Sequence, residues 1–351
     1  MSSFITGIQQ VGIGVSNATK AKYLYRDLFG MDVLVFDDTS SAHLMTRYTG
    51  NEIHQRRAIL TLNMQGGGGF EIWQFTSRNP SPCARPPRMG DIGIFGVKIK
   101  TADIQGAHLF FRNNGMVTVT SVCLAPDGSK HFWITDSNGN NFNIIEGKSW
   151  FKPDGRICGG VAGATIGVSD MEKAISFYRN LLGIDEIVYD ITGNVQDAPG
   201  ELQTSDLLRR VLLRKKSELN GAFSKLLGCV EIELIESKNY VAQKIFAGRF
   251  WGDCGFIHLC FDVTDMEGLK ASIVSREHFF TVDSADTFSM GNAGGRFCYM
   301  EDPDGTLIEL VETHRVPVFR KFGIYFNLKK RKSSSPLPDW MVKLLGMNKI
   351  K

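Results

Sequence analysis

No stretch of this chain approaches the roughly 20 apolar residues that a membrane-spanning helix needs, so a helical membrane protein is excluded. The N-terminus has no charged segment followed by an apolar core, and no secretory signal is expected. The seven cysteines are odd in number and scattered, with no Cys-x-x-Cys pair. That argues against a disulfide framework or a zinc ribbon and for reduced thiols in the cytoplasm. The body also lacks an excess of positive charge. Of the total net +3, residues 315–351 carry ten Lys and Arg against one acid, Asp339, a net +9 that leaves −6 for the rest. A mildly acidic body has no nucleic-acid signature. No Lys-Ser/Thr follows the tetraglycine Gly66-Gly67-Gly68-Gly69 and no helix starts there, so a phosphate cradle is excluded and a flexible hairpin tip is expected.

The rest is ordinary globular material, 43 % apolar and 22 % charged over 351 residues, a length that suits about two domains. Its organisation is an internal repeat. Ile13-Gly14-Val15-Ser16-Asn17-Ala18 returns as Ile166-Gly167-Val168-Ser169-Asp170-Met171, an offset of 153 residues with no gap. The next segment returns too, with Ala21, Leu24, Tyr25 and Leu28 matching Ala174, Phe177, Tyr178 and Leu181. Spacings of three and four residues place such side chains on one stripe of a helix. Asn17 and Asp170 suit the N-cap, and Gly30 and Gly183 suit a left-handed exit.

A weaker pair of repeats lies between these. Phe95-Gly96-Val97-Lys98-Ile99 alternates like Leu259-Cys260-Phe261-Asp262-Val263, and each leads to a helix, near Ile104–Asn114 and near Met266–Glu277. The turns Asp136-Ser137-Asn138-Gly139 and Asp302-Pro303-Asp304-Gly305 precede closing strands at Phe142–Ile145 and Leu307–Val311. Four units therefore begin near residues 7, 91, 160 and 255, each a strand and a helix followed by two or three strands. In the tail, Lys329–Pro338 reads as a polar linker before Trp340, Met341, Leu344 and Leu345. A strap across the lobes, a disordered tail and a membrane-surface anchor compete there, the anchor being the weakest because one short helix binds membranes poorly.

The segments Ile8-Gln9-Gln10-Val11-Gly12-Ile13, Tyr25-Arg26-Asp27-Leu28-Phe29-Gly30, Phe177-Tyr178-Arg179-Asn180-Leu181-Leu182-Gly183, Phe256-Ile257-His258-Leu259 and Asp302 to Leu310 resemble the vicinal oxygen chelate superfamily, the glyoxalase/bleomycin-resistance fold. The resemblance spans about residues 7–314. It implies an α+β protein of four βαβββ modules forming two paired-module lobes with curved mixed sheets. In chain order, modules one and two fill 1–150, modules three and four fill 151–314, and a basic tail fills 315–351.

The resemblance also implies where a metal would sit, because family ligands come from the first and last strand of each module. Superposing the units places Gln10, Ile94, Gly163 and His258 at the first-strand position and Glu71, Asn143, Glu233 and Glu309 at the last-strand position. Only units one and four carry ligand-type residues throughout. Pairing one with four, and two with three, completes one site and leaves the other cleft without one. The order Gln10, Glu71, His258, Glu309 is similar to that of four-module glyoxalase I enzymes. Two carboxylates, an imidazole and an amide suit one divalent ion, whether Ni, Zn, Co, Mn or Fe, with coordination positions left for substrate. By the same resemblance Glu309 is the leading base and Glu71 the second. Trp73 and Phe75 share the face of Glu71 and are expected to contact substrate.

The resemblance stops short of a substrate. Glutathione-using glyoxalase I enzymes carry arginines where this chain has Gly14 and Cys254. Methylmalonyl-CoA epimerase-like members have His and Gln where it has Gln10 and Glu71. Extradiol dioxygenases need two histidines, and only His258 is at a ligand position. The expectation is a metal-dependent lyase or isomerase that abstracts a proton next to a metal-bound carbonyl, acting on a small molecule with a carbonyl or vicinal oxygens. The alternatives are a non-catalytic small-molecule-binding protein of this fold and a dioxygenase of the same superfamily.

Overall fold

A computed structural model describes all residues except 1–3, 196, 200–205, 216–219, 286–287, 291–292, 320–322, 330, 332–334 and 351. The four units are present. Unit one has strands Ile5–Gly14, Val33–Ser41, Gln55–Leu62 and Gly69–Phe75 around the helix Ala18–Phe29. Asn17 accepts a hydrogen bond from the Lys20 amide and Gly30 exits the helix at φ 65°. In unit three, Asp170 caps the helix Met171–Asn180 through the Lys173 amide and Gly183 has φ 67°. The helices of units two and four run Ile104–Asn113 and Met266–Val274. None of the helices among the described residues is long and apolar enough to cross a membrane.

The sheets pair unit one with unit four and unit two with unit three. In the first sheet, Ile5–Gly14 lies antiparallel to Gly255–Val263 and parallel to Gly69–Phe75, and Gly255–Val263 is parallel to Leu307–Phe319. In the second, Cys158–Val168 is antiparallel to Gly93–Thr101. Units adjacent in sequence are joined differently. The Tyr25 hydroxyl donates to Asp136 at 2.9 Å and Tyr178 to Asp302 at 3.1 Å, so the helix of one unit pins the closing turn of the next. Residues such as Val11, Ile13, Phe70, Val97, Ile144 and Ile166 from both sheets share one buried core with the helices. The clefts lie on the opposite sheet faces, where strand alternation sends every second side chain.

Two expectations change. The tetraglycine is a buried crossing rather than a flexible tip. Gly68 and Val161 exchange both backbone hydrogen bonds at 2.8 Å, and Gly67 donates to Leu226. A Cβ at Gly67 would meet Gly160 at 2.6 Å, so glycine serves close approach of two backbones here. The tail, of the three competing readings, is a strap. Arg315 to Phe319 extend the last strand of unit four, and Leu337, Val342 and Leu345 are buried against unit one and the helix Ser224–Leu227.

Candidate metal centre

Four adjacent central strands of the first sheet each contribute one buried polar side chain: Glu309, His258, Gln10 and Glu71. The register explains why they converge. Gly12 stands opposite both Glu71 and His258, while Cys260 stands opposite both Gln10 and Glu309. Gly12 is needed for space, since a Cβ there would lie 2.3 Å from the His258 ring.

His258 Nε2 is 3.1 Å from Glu309 Oε2 and 3.3 Å from Glu71 Oε2. Ligand atoms of these three residues all lie within 4.8 Å of one another. Gln10 Nε2 donates to Glu309 Oε2 at 3.2 Å. Yet His258 Nε2 has no aligned hydrogen bond, and Gln10 Oε1 has no partner. Buried polar atoms are rarely left so. Two carboxylates and an imidazole nitrogen around one point, with an orphaned amide oxygen on the same central strands, fit a divalent cation. The other ring nitrogen, Nδ1, is 3.2 Å from the Tyr299 hydroxyl, which orients the imidazole so that Nε2 faces the carboxylates.

Burial alone would lower the His258 pKa, but Glu309 and Glu71 override it and raise it to about 9. Burial would raise Glu309, but His258 holds it below its ordinary value. Without metal, His258 is therefore an imidazolium at neutral pH. Its folded pKa exceeds its unfolded value, so its contribution to stability is full below about 6.5 and is lost as pH rises through about 9. A metal must displace that proton. Metal affinity is expected to rise about tenfold per pH unit up to about pH 9. Chelator competition at pH 6, 7 and 8 measures this, and equal affinities would contradict it.

Two cavities meet Glu71 and Glu309. One of about 110 Å³ also touches Gln10, and one of about 210 Å³ has Trp73, Trp251 and Tyr299 in its wall. Trp73 thus reaches the site, whereas Phe75 packs edge-on behind it at 5.3 Å and lines neither cavity. Sequence reasoning missed Tyr299 and Trp251. Tyr299 had a signal: it alternates with Phe297 along its strand and stands opposite Glu309. Trp251 lies in a loop before the first strand of unit four, outside the repeat, and had none.

The second cleft differs. Lys98 opposes Asn143 as Gly12 opposes Glu71, so the register puts Gly96 at the position of Gln10, two residues beyond the Ile94 of the sequence superposition. Neither Gly96 nor Gly163 has room for a side chain, because a Cβ would meet Trp133 at 2.5 Å or the Glu231 carbonyl at 2.2 Å. Lys98 Nζ lies 2.8 Å from Glu233, and Arg210 bridges Glu233 and Asp197 at 2.7 Å each. Burial opposes ionisation of Glu233, but Arg210 and Lys98 hold its pKa far below the usual range. The cleft is charge-paired by its own side chains. Replacing Arg210 by methionine should destabilise the fold by about 3–5 kcal/mol, because the buried Glu233 and the half-buried Asp197 lose their shared partner. A urea unfolding curve with an unchanged midpoint would refute this.

The comparisons with known proteins follow this geometry. Residues 160–310 match the model of the Glyoxalase/Bleomycin resistance protein/Dioxygenase superfamily. No curated protein matches the chain. Among solved structures, glyoxalase I from Zea mays is similar with a TM-score of 0.53 and 13 % identity, covering 87 % of this chain and 92 % of that one. A Bacillus subtilis protein described as a candidate dioxygenase has a TM-score of 0.55 and 12 % identity, covering 89 % and 86 %. At such identities the likeness concerns the fold. The family match covers units three and four, and the fold likeness extends over most of the chain.

Proposed function

We propose that the protein is a metal-dependent enzyme of lyase or isomerase type that abstracts a proton next to a carbonyl held at the Gln10–Glu71–His258–Glu309 site. The observation that carries this is the buried cluster of His258 Nε2 within 3.3 Å of both Glu71 and Glu309, with the neighbouring Gln10 Oε1 left without a partner, at the meeting of two cavities. A divalent ion there would draw electron density from the carbonyl oxygen and acidify the adjacent C–H. Glu309 takes the proton. It borders both cavities, and Gln10 and His258 hold its carboxylate in place. Glu71 borders the same two cavities from the neighbouring unit and returns a proton to the product. Trp73 and Trp251, their rings 4.2 Å apart, form one wall of the larger cavity beside the carboxylates. The single histidine disfavours the dioxygenase alternative, whose usual iron site uses two.

The geometry opposes glutathione as a cosubstrate. A side chain at Gly14 would meet the Asp253 carbonyl at 1.9 Å. Near Cys254, Arg78 is paired with Asp253 at 2.5 Å and Arg249 is spent on backbone carbonyls. Methylglyoxal consumption, if present, should be the same with and without glutathione. Efficient glutathione-dependent formation of the lactoyl thioester would overturn this. Metal analysis tests the wider reading: a preparation that contains no stoichiometric metal, and takes none up on dialysis, favours the non-catalytic small-molecule binder.

A further inference from the structure

The 110 Å³ cavity has a chemical bias that the repeat does not explain. Beyond Gln10, Glu71 and Glu309 its wall is mostly hydrocarbon, including Val35, Leu60 and Leu62 of unit one. Two pieces of chain outside the four-unit pattern complete it. The short helix Ser224–Leu227 reaches over from unit three with Leu226 and Leu227, and the C-terminal strap supplies Leu345. The polar side chains that also reach the wall are mostly committed elsewhere. Gln9 donates to Asp262 at 3.2 Å and Thr313 at 3.1 Å, and Arg296 is paired with Asp283 at 2.7 Å. Arg315 stands at the exposed rim over the Tyr325 ring.

The strap is fastened on both sides of the cleft. The Leu34 amide donates to the Asn348 carbonyl at 2.9 Å and the Ile350 amide to Asp32 at 2.7 Å. Asn348 Nδ2 donates to the Val318 carbonyl at 3.0 Å. The tail therefore ties the outer strand of unit one to the last strand of unit four, with Leu345 facing the cavity. The other cavity, about 210 Å³, has Ser41, His43 and Arg56 in its wall and suits a polar group or water.

We propose that the substrate carries an alkyl body of about four to five carbons, lying against the strap while its oxygens meet the four polar residues. An engineered cavity of roughly 150 Å³ accommodates the six carbons of benzene, and the about 110 Å³ here takes fewer. This assignment rests on the metal-site reading for its oxygen end only.

Alkyl hydroxamates test it, because they chelate a divalent ion through two vicinal oxygens without reacting. With zinc-loaded protein, affinity should rise about fourfold per methylene from acetohydroxamate to hexanohydroxamate, on the order of 10² overall. The change is read from tryptophan fluorescence, since Trp251 stacks 6.5 Å from His258. Leu345→Phe should remove at least tenfold of that gain by filling the cavity, and Leu62→Phe gives the same reading from a strand residue should the strap variant misfold. A flat hydroxamate ladder on zinc-loaded protein overturns the proposal. If the protein takes up no zinc, the metal reading fails and n-alcohols from ethanol to pentanol on the metal-free chain decide the hydrocarbon cavity. The same fourfold step supports it there, and a flat series overturns it.

Discussion

Replacing His258 by alanine is expected to weaken divalent-metal binding by on the order of 10²-fold or more, while Ile94→Ala leaves it unchanged. His258 is fully buried and its Nε2 lies within 3.3 Å of both carboxylates without an aligned hydrogen bond. Even residues that only orient a metal ligand typically contribute 10- to 100-fold, so loss of a ligand should exceed that. The variant also removes the one positive charge that Glu71 and Glu309 share in the metal-free protein. Ile94 is buried but two residues off the ligand register, so it controls for damage to the core. Elemental analysis and chelator competition give the answer. Full metal occupancy in His258→Ala would sink the site.

Glu309→Gln should separate binding from chemistry. An amide oxygen still coordinates, so much of the metal should remain. An amide cannot accept the proton, so turnover should fall by about 10²–10⁴, the usual contribution of a positioned base. The readout is deuterium wash-in from D₂O next to the substrate carbonyl, with metal content measured on the same sample. Unchanged wash-in at full metal occupancy would remove Glu309 from the role of base and leave Glu71, which borders the same two cavities.

Much of this was legible in the sequence because the repeat is physical as well as textual. The Ile13–Ala18 and Ile166–Met171 matches mark strand, cap and helix start, and local rules determine all three. The grouping was legible because strand alternation and repeat position together single out Gln10, Glu71, His258 and Glu309, which the sheet brings together on four adjacent strands. Where local rules were weaker the reading slipped. Unit two has short irregular strands at Thr118–Val119 and Cys123–Leu124, and the sequence superposition points to Ile94 where the register puts Gly96. The tetraglycine read as flexible because glycine permits both freedom and close contact, and only the partner strand at Gly160 and Val161 distinguishes them.

The sequence by itself determined the four units, their helices and caps, and which residue types could hold an ion. The order and chemistry of those residues also pointed to pairing one with four, which the sheets display. Only the tertiary structure decided what surrounds them. That Tyr299 orients His258, that Lys98 and Arg210 neutralise the second cleft, and that Leu345 walls the first are contacts between residues dozens to hundreds of positions apart. Local propensity carries no information about such distances, and packing of the two sheets against one core sets them.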